Sequence, residues 1–273
     1  MYKVKRLIFM LTALVTLTAG AQQAQCGIDN KAFGDGEQLD YVLKFNWQFI
    51  WFRVGTARMT TRIDSFHGQK AWRADLLTSG NPRLDKYFVM RDTLLSYCSY
   101  ADLTPLYFRK GAHEGKRYYA DELWFSYPRG HCHLRRHEVT SHGEHLWSDK
   151  EYKDCIYDMM SIFLRARNFD SSSMSEGDIL PMPISDASDL SNSWLKYMGK
   201  KTFKMDSGEK FRCVVFAFMQ NEKGKNRELI RFWITDDLNH IPVRLDMNLN
   251  FGSAKAFLTS YKGVRNEMTS KVQ

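Results

Sequence analysis

The sequence predicts an all-β fold, mainly antiparallel, shaped as a curved sheet or incomplete β-barrel with one helix crossing it near residues 155–168. Three observations carry this expectation. Apolar and polar residues alternate with period two over several long runs, as strands with one buried face require. Turn residues separate those runs. A convincing helical period occurs in one segment alone.

The chain opens with Lys3, Lys5 and Arg6, an apolar run from Leu7 to about Leu17, and the small residues Ala19-Gly20-Ala21, which together have the form of a cleavable signal peptide over residues 1–21. The apolar run is too short for a permanent anchor, since a spanning helix needs about 20 such residues. Cys26 offers a lipid-attachment alternative, but Gln23 stands where lipidation prefers an apolar residue, so the leader is read as simply removed. The mature chain, residues 22–273, is read as a single β-rich domain in the periplasm or cell envelope. A chain of that size can bury roughly 70% of its unfolded surface.

The first strands are marked by Tyr41, Leu43, Phe45 and Trp47 alternating with polar residues, then by Ala57, Met59, Thr61 and Ile63, with Gly55 as the bend between them. Between these runs Phe49-Ile50-Trp51-Phe52 breaks the alternation. Burial on both faces is the preferred reading, and a hairpin tip contacting lipid or a partner is the alternative. His67-Gly68 turns the chain into Trp72, Ala74 and Leu76 on one face with Arg73 and Asp75 on the other. Pro128-Arg129-Gly130 separates two aromatic, charged runs, Lys116 to Tyr127 and His131 to Val139, as a further hairpin. Ile156, Met159, Met160 and Phe163 fall at helical spacing behind Asp154 as a cap. The polar run Asp170 to Gly177 then divides the chain into two β-rich stretches. Near the end, Leu245, Met247, Leu249 and Phe251 alternate up to Gly252-Ser253, which has the form of a two-residue hairpin turn.

The two stretches echo each other. Gly68-Gln69-Lys70 resembles Gly208-Glu209-Lys210, and Asp102-Leu103-Thr104-Pro105 resembles Asp237-Leu238 followed by Pro242. Turn chemistry alone also produces such likeness.

Function is less legible. Of 39 basic and 31 acidic residues, three cations lie in the leader, which leaves +5 on the remainder. The cations are dispersed, so nucleic acid is not an expected partner, whereas contact with a membrane surface is compatible with the mild excess. Five cysteines at irregular spacing, with no Cys-x-x-Cys, are read as buried free thiols, although an oxidising compartment would allow up to two disulfides. His131, His133 and His137 share strand parity and form a candidate metal site, opposed by Arg135 on the same face. No cofactor is indicated, and no nucleophile elbow, zinc-protease or phosphate-loop motif occurs.

Gly36-Glu37-Gln38-Leu39-Asp40-Tyr41, Val54-Gly55-Thr56-Ala57, and Tyr157-Asp158-Met159-Met160-Ser161 with Arg165 resemble the pattern of exported envelope proteins of domain-of-unknown-function family 3108. The resemblance covers nearly all of the mature chain and implies a periplasmic β-rich fold with no assigned activity. More faintly, Phe232-Trp233-Ile234-Thr235-Asp236-Asp237-Leu238 with Ile241-Pro242-Val243 is similar to the strand-turn-strand of periplasmic lipoprotein carriers, whose half-barrels hold acyl chains.

The leading expectation is a non-catalytic envelope protein that binds lipid, lipoprotein or glycan in a concave aromatic-rich face. Trp47, Trp51, Phe52, Trp72 and Trp233 are the candidate contacts. The alternatives are an envelope hydrolase acting on cell-wall or glycan material, and an assembly scaffold acting through its edge strands.

Overall fold

The computed structural model describes residues 26–47, 50–86, 89–182, 184–185, 190–191, 193–222, 224–249 and 252–272, without the side chains of 47, 184, 185, 190 and 191. Residues 1–21, read as a leader, and Phe49 therefore lie outside the described residues. Strands run β1 (Glu37–Trp47), β2 (Ile50–Phe66), β3 (Gln69–Gly80), β4 (Met90–Ser99), β5 (Pro105–Glu114), β6 (Arg117–Ser126), β7 (Cys132–Val139) and β8 (His145–Tyr152). After the helix α1 (Met159–Ala166) come β9 (Ile179–Pro181), β10 (Ile184–Ser185), β11 (Leu190–Ser191), β12 (Ser193–Lys204), β13 (Lys210–Glu222), β14 (Lys225–Thr235), β15 (Pro242–Leu249), β16 (Gly252–Lys262) and β17 (Lys271–Val272).

All but β10 and β11 form one antiparallel sheet in the order β8-β7-β6-β5-β4-β3-β2-β1-β16-β15-β14-β13-β12-β9, with β17 on β13. Two meanders are thus joined where β1 pairs with β16. The fold is all-β and the sheet is curved without closing, as its two terminal edges, β8 and β9, show. The matched turns occupy corresponding places: Gly68 joins β2 to β3 and Gly208 joins β12 to β13, while Asp102 and Asp237 sit in the β4–β5 and β14–β15 connections. The edges differ in kind. β9 is short and ends in Pro181, whereas β8 is eight residues long and exposed on both faces to its last residue.

Helix α1 lies against the concave face, and it is shorter than the helical spacing suggested. Ile156 and Tyr157 are buried in extended chain, so the first of the four periodic positions belongs to the approach rather than to the helix. The cap is Asp158, not Asp154. Its carboxylate accepts from the backbone N–H of Met160 and Ser161 at 2.8 Å, and Ser161 Oγ accepts from the Asp158 N–H at 3.0 Å. This closes a capping box.

Three other expectations change. Gly55 is not a bend; it lies inside β2, where a Cβ would come within 2.3 Å of Ser79 O on β3. Leu249 pairs with Gly252, so Gly252 and Ser253 lie inside β16 rather than at a turn, and Gly252 serves instead a close approach of β1, with Asn46 O 2.9 Å from where its Cβ would be. Cys26 and Cys155 form a disulfide, so of the five thiols Cys98, Cys132 and Cys213 alone are free and buried. The bridge occupies the Cys26 sulfur that lipid attachment would need.

The preferred reading of residues 49–52, burial on both faces, is overturned: Ile50, Trp51 and Phe52 are 58%, 40% and 47% exposed at the start of β2. The broken alternation has a local cause. Leu43 pairs with Gly55 and Lys44 with Arg53, so Val54 is an extra residue in β2, a bulge that moves every residue before it to the other face. Its carbonyl is used, accepting from Asn81 N–H at 2.7 Å.

Candidate functional site

The concave face and α1 enclose a cavity of about 360 Å³. Its wall draws on Tyr41, Met59, Leu76 and Leu94 from β1 to β4, on Phe216, Ile230 and Met247 from β13 to β15, and on Met160 and Phe163 from α1. β4 and β13 stand seven positions apart in the strand order, so the sheet's curl is what brings them to one space. Alternate residues of each strand point inward: Phe216 and Phe218 on β13, Ile230, Phe232 and Ile234 on β14, Leu245 and Met247 on β15.

Two polar side chains, Gln220 and Arg167, also reach the wall. Arg167, the C-cap of α1, is fully buried and already satisfied. Its guanidinium donates to both Glu37 carboxylate oxygens, at 2.5 and 3.0 Å, and to Asn239 O at 2.8 Å. The Arg167 carbonyl accepts from His240 Nδ1 at 2.5 Å, and burial holds His240 below its usual pKa. The charge facing the cavity is thereby neutralised. Tyr41 donates its hydroxyl to Pro242 O at 3.0 Å, and burial raises its pKa above the ordinary phenol value. The wall therefore offers dispersion contacts and little hydrogen bonding.

Beneath the N-terminal turn of α1, Asp158 is buried and its pKa is pushed up to about 6, because burial penalises the carboxylate more than its hydrogen bonds from Ser161 and Met160 favour it. The free thiols are similarly affected: burial raises Cys132 to about 11 and Cys213 to about 12. A thiol so raised is a poor nucleophile.

The aromatic residues singled out from the sequence lie away from this wall. Trp72 is buried in the main core, edge-on to Phe33 at 5.2 Å, and does not line the cavity. Trp233 alternates with the cavity residues Phe232 and Ile234 and so faces the convex side, with the Arg244 guanidinium 4.3 Å above its ring. Trp51 and Phe52 form the exposed β1–β2 tip, and the Trp47 side chain lies outside the described residues. Sequence reasoning missed the strand wall of the cavity: β13 runs from Cys213 to Met219 without a polar alternate, so its signal was a continuous apolar run of the kind a strand buried on both faces shows, not the alternation read in β15.

His133 and His137 lie on the convex face of β7, with His131 just before it, and each has a different partner: His131 Nδ1 lies 2.7 Å from Glu151, His133 Nε2 3.6 Å from Asp149, and His137 Nδ1 3.0 Å from Glu122. Among the described residues no group of three or more His, Cys, Asp or Glu is placed to hold a metal ion. His137 instead stacks on Trp147 at 4.1 Å, at the end of a ladder of rings that runs through Trp124, Tyr107 and Phe66. Much of the aromatic content is therefore convex, not concave. Glu122 has a lowered pKa: burial opposes the shift, but hydrogen bonds from Tyr107 and His137 outweigh it. This pair lies on an open surface, outside the cavity.

A family model described as protein of unknown function (DUF3108) matches residues 40–259. Among solved structures, a beta-barrel-like protein of domain of unknown function DUF1849 from Brucella abortus is similar in fold, with a TM-score of 0.55 at 10% identity over 87% of this chain and 100% of that one. No curated protein matches the sequence.

Proposed function

The chain belongs to the DUF3108 family of proteins of unknown function, and from that premise we propose that it is an exported envelope protein holding an apolar or amphipathic ligand, such as a lipid acyl chain, between α1 and the concave face of the sheet. The cavity carries this reading. Its 360 Å³ falls within the range of ligand pockets, on the order of 300–1,000 Å³. A wall of Met, Leu, Ile and Phe with its one cation neutralised favours hydrocarbon over a charged or hydroxylated ligand. Met159 and Met160 add adaptable, polarisable surface on the helix side. Export is supported by the form of the first 21 residues and by the Cys26–Cys155 bridge, since disulfides persist in oxidising compartments.

Titration of the mature protein with cis-parinaric acid tests the reading. Saturable fluorescence enhancement at one site is expected, weakened about tenfold by Ile230→Trp, which places a larger side chain in the wall. Native mass spectrometry of protein taken from the envelope should show a co-purifying lipid. Absence of saturable binding, or an Ile230→Trp protein that binds as well as the parent, would refute it.

A further inference from the structure

We propose that the β1–β2 hairpin tip is a docking element for an anionic phospholipid bilayer, placed so that the bound membrane meets the concave face leading to the cavity. The first support is the composition of the tip. Ile50, Trp51 and Phe52 are all exposed, and the strand shows them on both faces. A strand end that is apolar on both faces is suited to insertion rather than to lying flat on a protein surface.

The second support is charge. Register places Arg53 on β2 opposite Lys44 on β1, and Lys44 opposite Lys255 on β16, so three cations form a row across adjacent strands. Lys44 is within ion-pair distance of Asp206, which is itself exposed; among the described residues Arg53 and Lys255 have no carboxylate at that distance. Lys255 Nζ lies 4.4 Å over the Trp51 ring. At about 3.4 Å per residue, the cation row stands roughly 10 Å behind Ile50. Interfacial segments bury their apolar groups about 5–10 Å into the headgroup boundary, which puts the row at the depth of the phosphates.

The third support is continuity with the cavity. Phe52 pairs with Phe45, Phe45 with Ala254, Ala254 with Met247, and Met247 with Ile230, one cross-strand row over β2, β1, β16, β15 and β14. Its far end is cavity wall. Directly opposite residues share a face, so the row is an apolar path along the concave side from the tip to the cavity. This link rests on the proposed ligand role of the cavity; the docking itself does not.

Co-sedimentation of the mature protein with vesicles of phosphatidylcholine and phosphatidylglycerol (about 3:1), and with phosphatidylcholine alone, tests the proposal. Binding to the mixed vesicles is expected, with about tenfold loss for each of Trp51→Ser and Phe52→Ser. Arg53→Gln with Lys255→Gln should cost roughly thirtyfold on the anionic vesicles and little on the neutral ones. A bimane label on Phe52→Cys should shift to the blue when vesicles are added, a readout independent of any folding effect of the serine variants. A parent protein that stays in the supernatant with both vesicles overturns the proposal, as does a Trp51→Ser/Phe52→Ser protein that sediments equally well. A soluble dimer dissolved by the same variant, without vesicle binding, also overturns it and makes the tip a protein interface. Failure of cis-parinaric acid to bind would remove the cavity reading and leave the vesicle result standing.

Discussion

The Cys26–Cys155 bridge closes a loop with a sequence separation of 129 residues. In the chain-entropy account, cross-linking a loop of that length removes enough freedom from the unfolded chain to contribute about 5 kcal/mol at 25 °C, near the top of the range seen for disulfides. The bridge also holds the start of the described chain against the helix: the Cys26 carbonyl accepts from Tyr157 Oη at 3.2 Å and from Arg165 Nη1 at 3.0 Å. Replacing both cysteines by serine should therefore lower stability by about 3–5 kcal/mol. With a urea m-value of about 3 kcal/mol/M for a chain of this size, the unfolding midpoint followed by tryptophan fluorescence should fall by roughly 1–1.7 M. Reductant should shift the parent protein by the same amount and leave the double serine variant unmoved. Alkylation in denaturant without reductant should label three cysteines of five. Five labelled cysteines in protein prepared under oxidising conditions, or a midpoint shift under about 0.3 M, would refute the reasoning.

The buried ion pair and the buried helix cap make two further tests. Glu37→Gln leaves the Arg167 charge buried without its counter-ion, which should cost about 3–5 kcal/mol in urea unfolding, and Glu37→Gln with Arg167→Met should recover part of the loss; a single-variant cost under about 1 kcal/mol would count against the pair. Asp158 has a raised folded pKa, so its stabilising contribution is complete below about pH 4 and is lost as pH rises through about 6. Asp158→Asn keeps the capping acceptor without the charge; relative to the parent it should gain up to about 3 kcal/mol between pH 4 and pH 7, and a pH-independent difference would refute the assignment.

The strands were legible because their alternation is a property of the chain itself, as in Trp72, Ala74 and Leu76 against Arg73 and Asp75, which the structure places on opposite faces of β3. Bulge, disulfide and cavity were less so, because each depends on residues remote in sequence. Gly55 looks like a turn until β3 is seen 2.3 Å from its Cβ position. Cys26 and Cys155 carry no spacing signature that joins them. The helix was readable as a period, but its first turn was set by Ile156 and Tyr157 being drawn into the core in extended form, an effect of tertiary packing. Trp residues were natural candidates for ligand contact, yet the wall uses aliphatic and Phe side chains whose parity had to be counted strand by strand.

The bulge at Val54 ties the two proposed features together. Had β2 continued the alternation of Met59 and Ala57 unbroken, residues 53 and 51 would have faced the cavity side and residue 52 the convex side. Arg53 would then stand at the rim of an apolar space, a costly place for a cation, and Phe52 would face away from the cavity. The extra residue reverses both. Arg53 joins Lys44 and Lys255 on the convex side, and Phe52 joins Phe45 and Ala254 on the concave one. A bulge next to a functional surface that re-aims side chains is a recurrent device in antiparallel sheets. Here one added residue gives a single hairpin a cationic face and an apolar face that continues to the cavity wall.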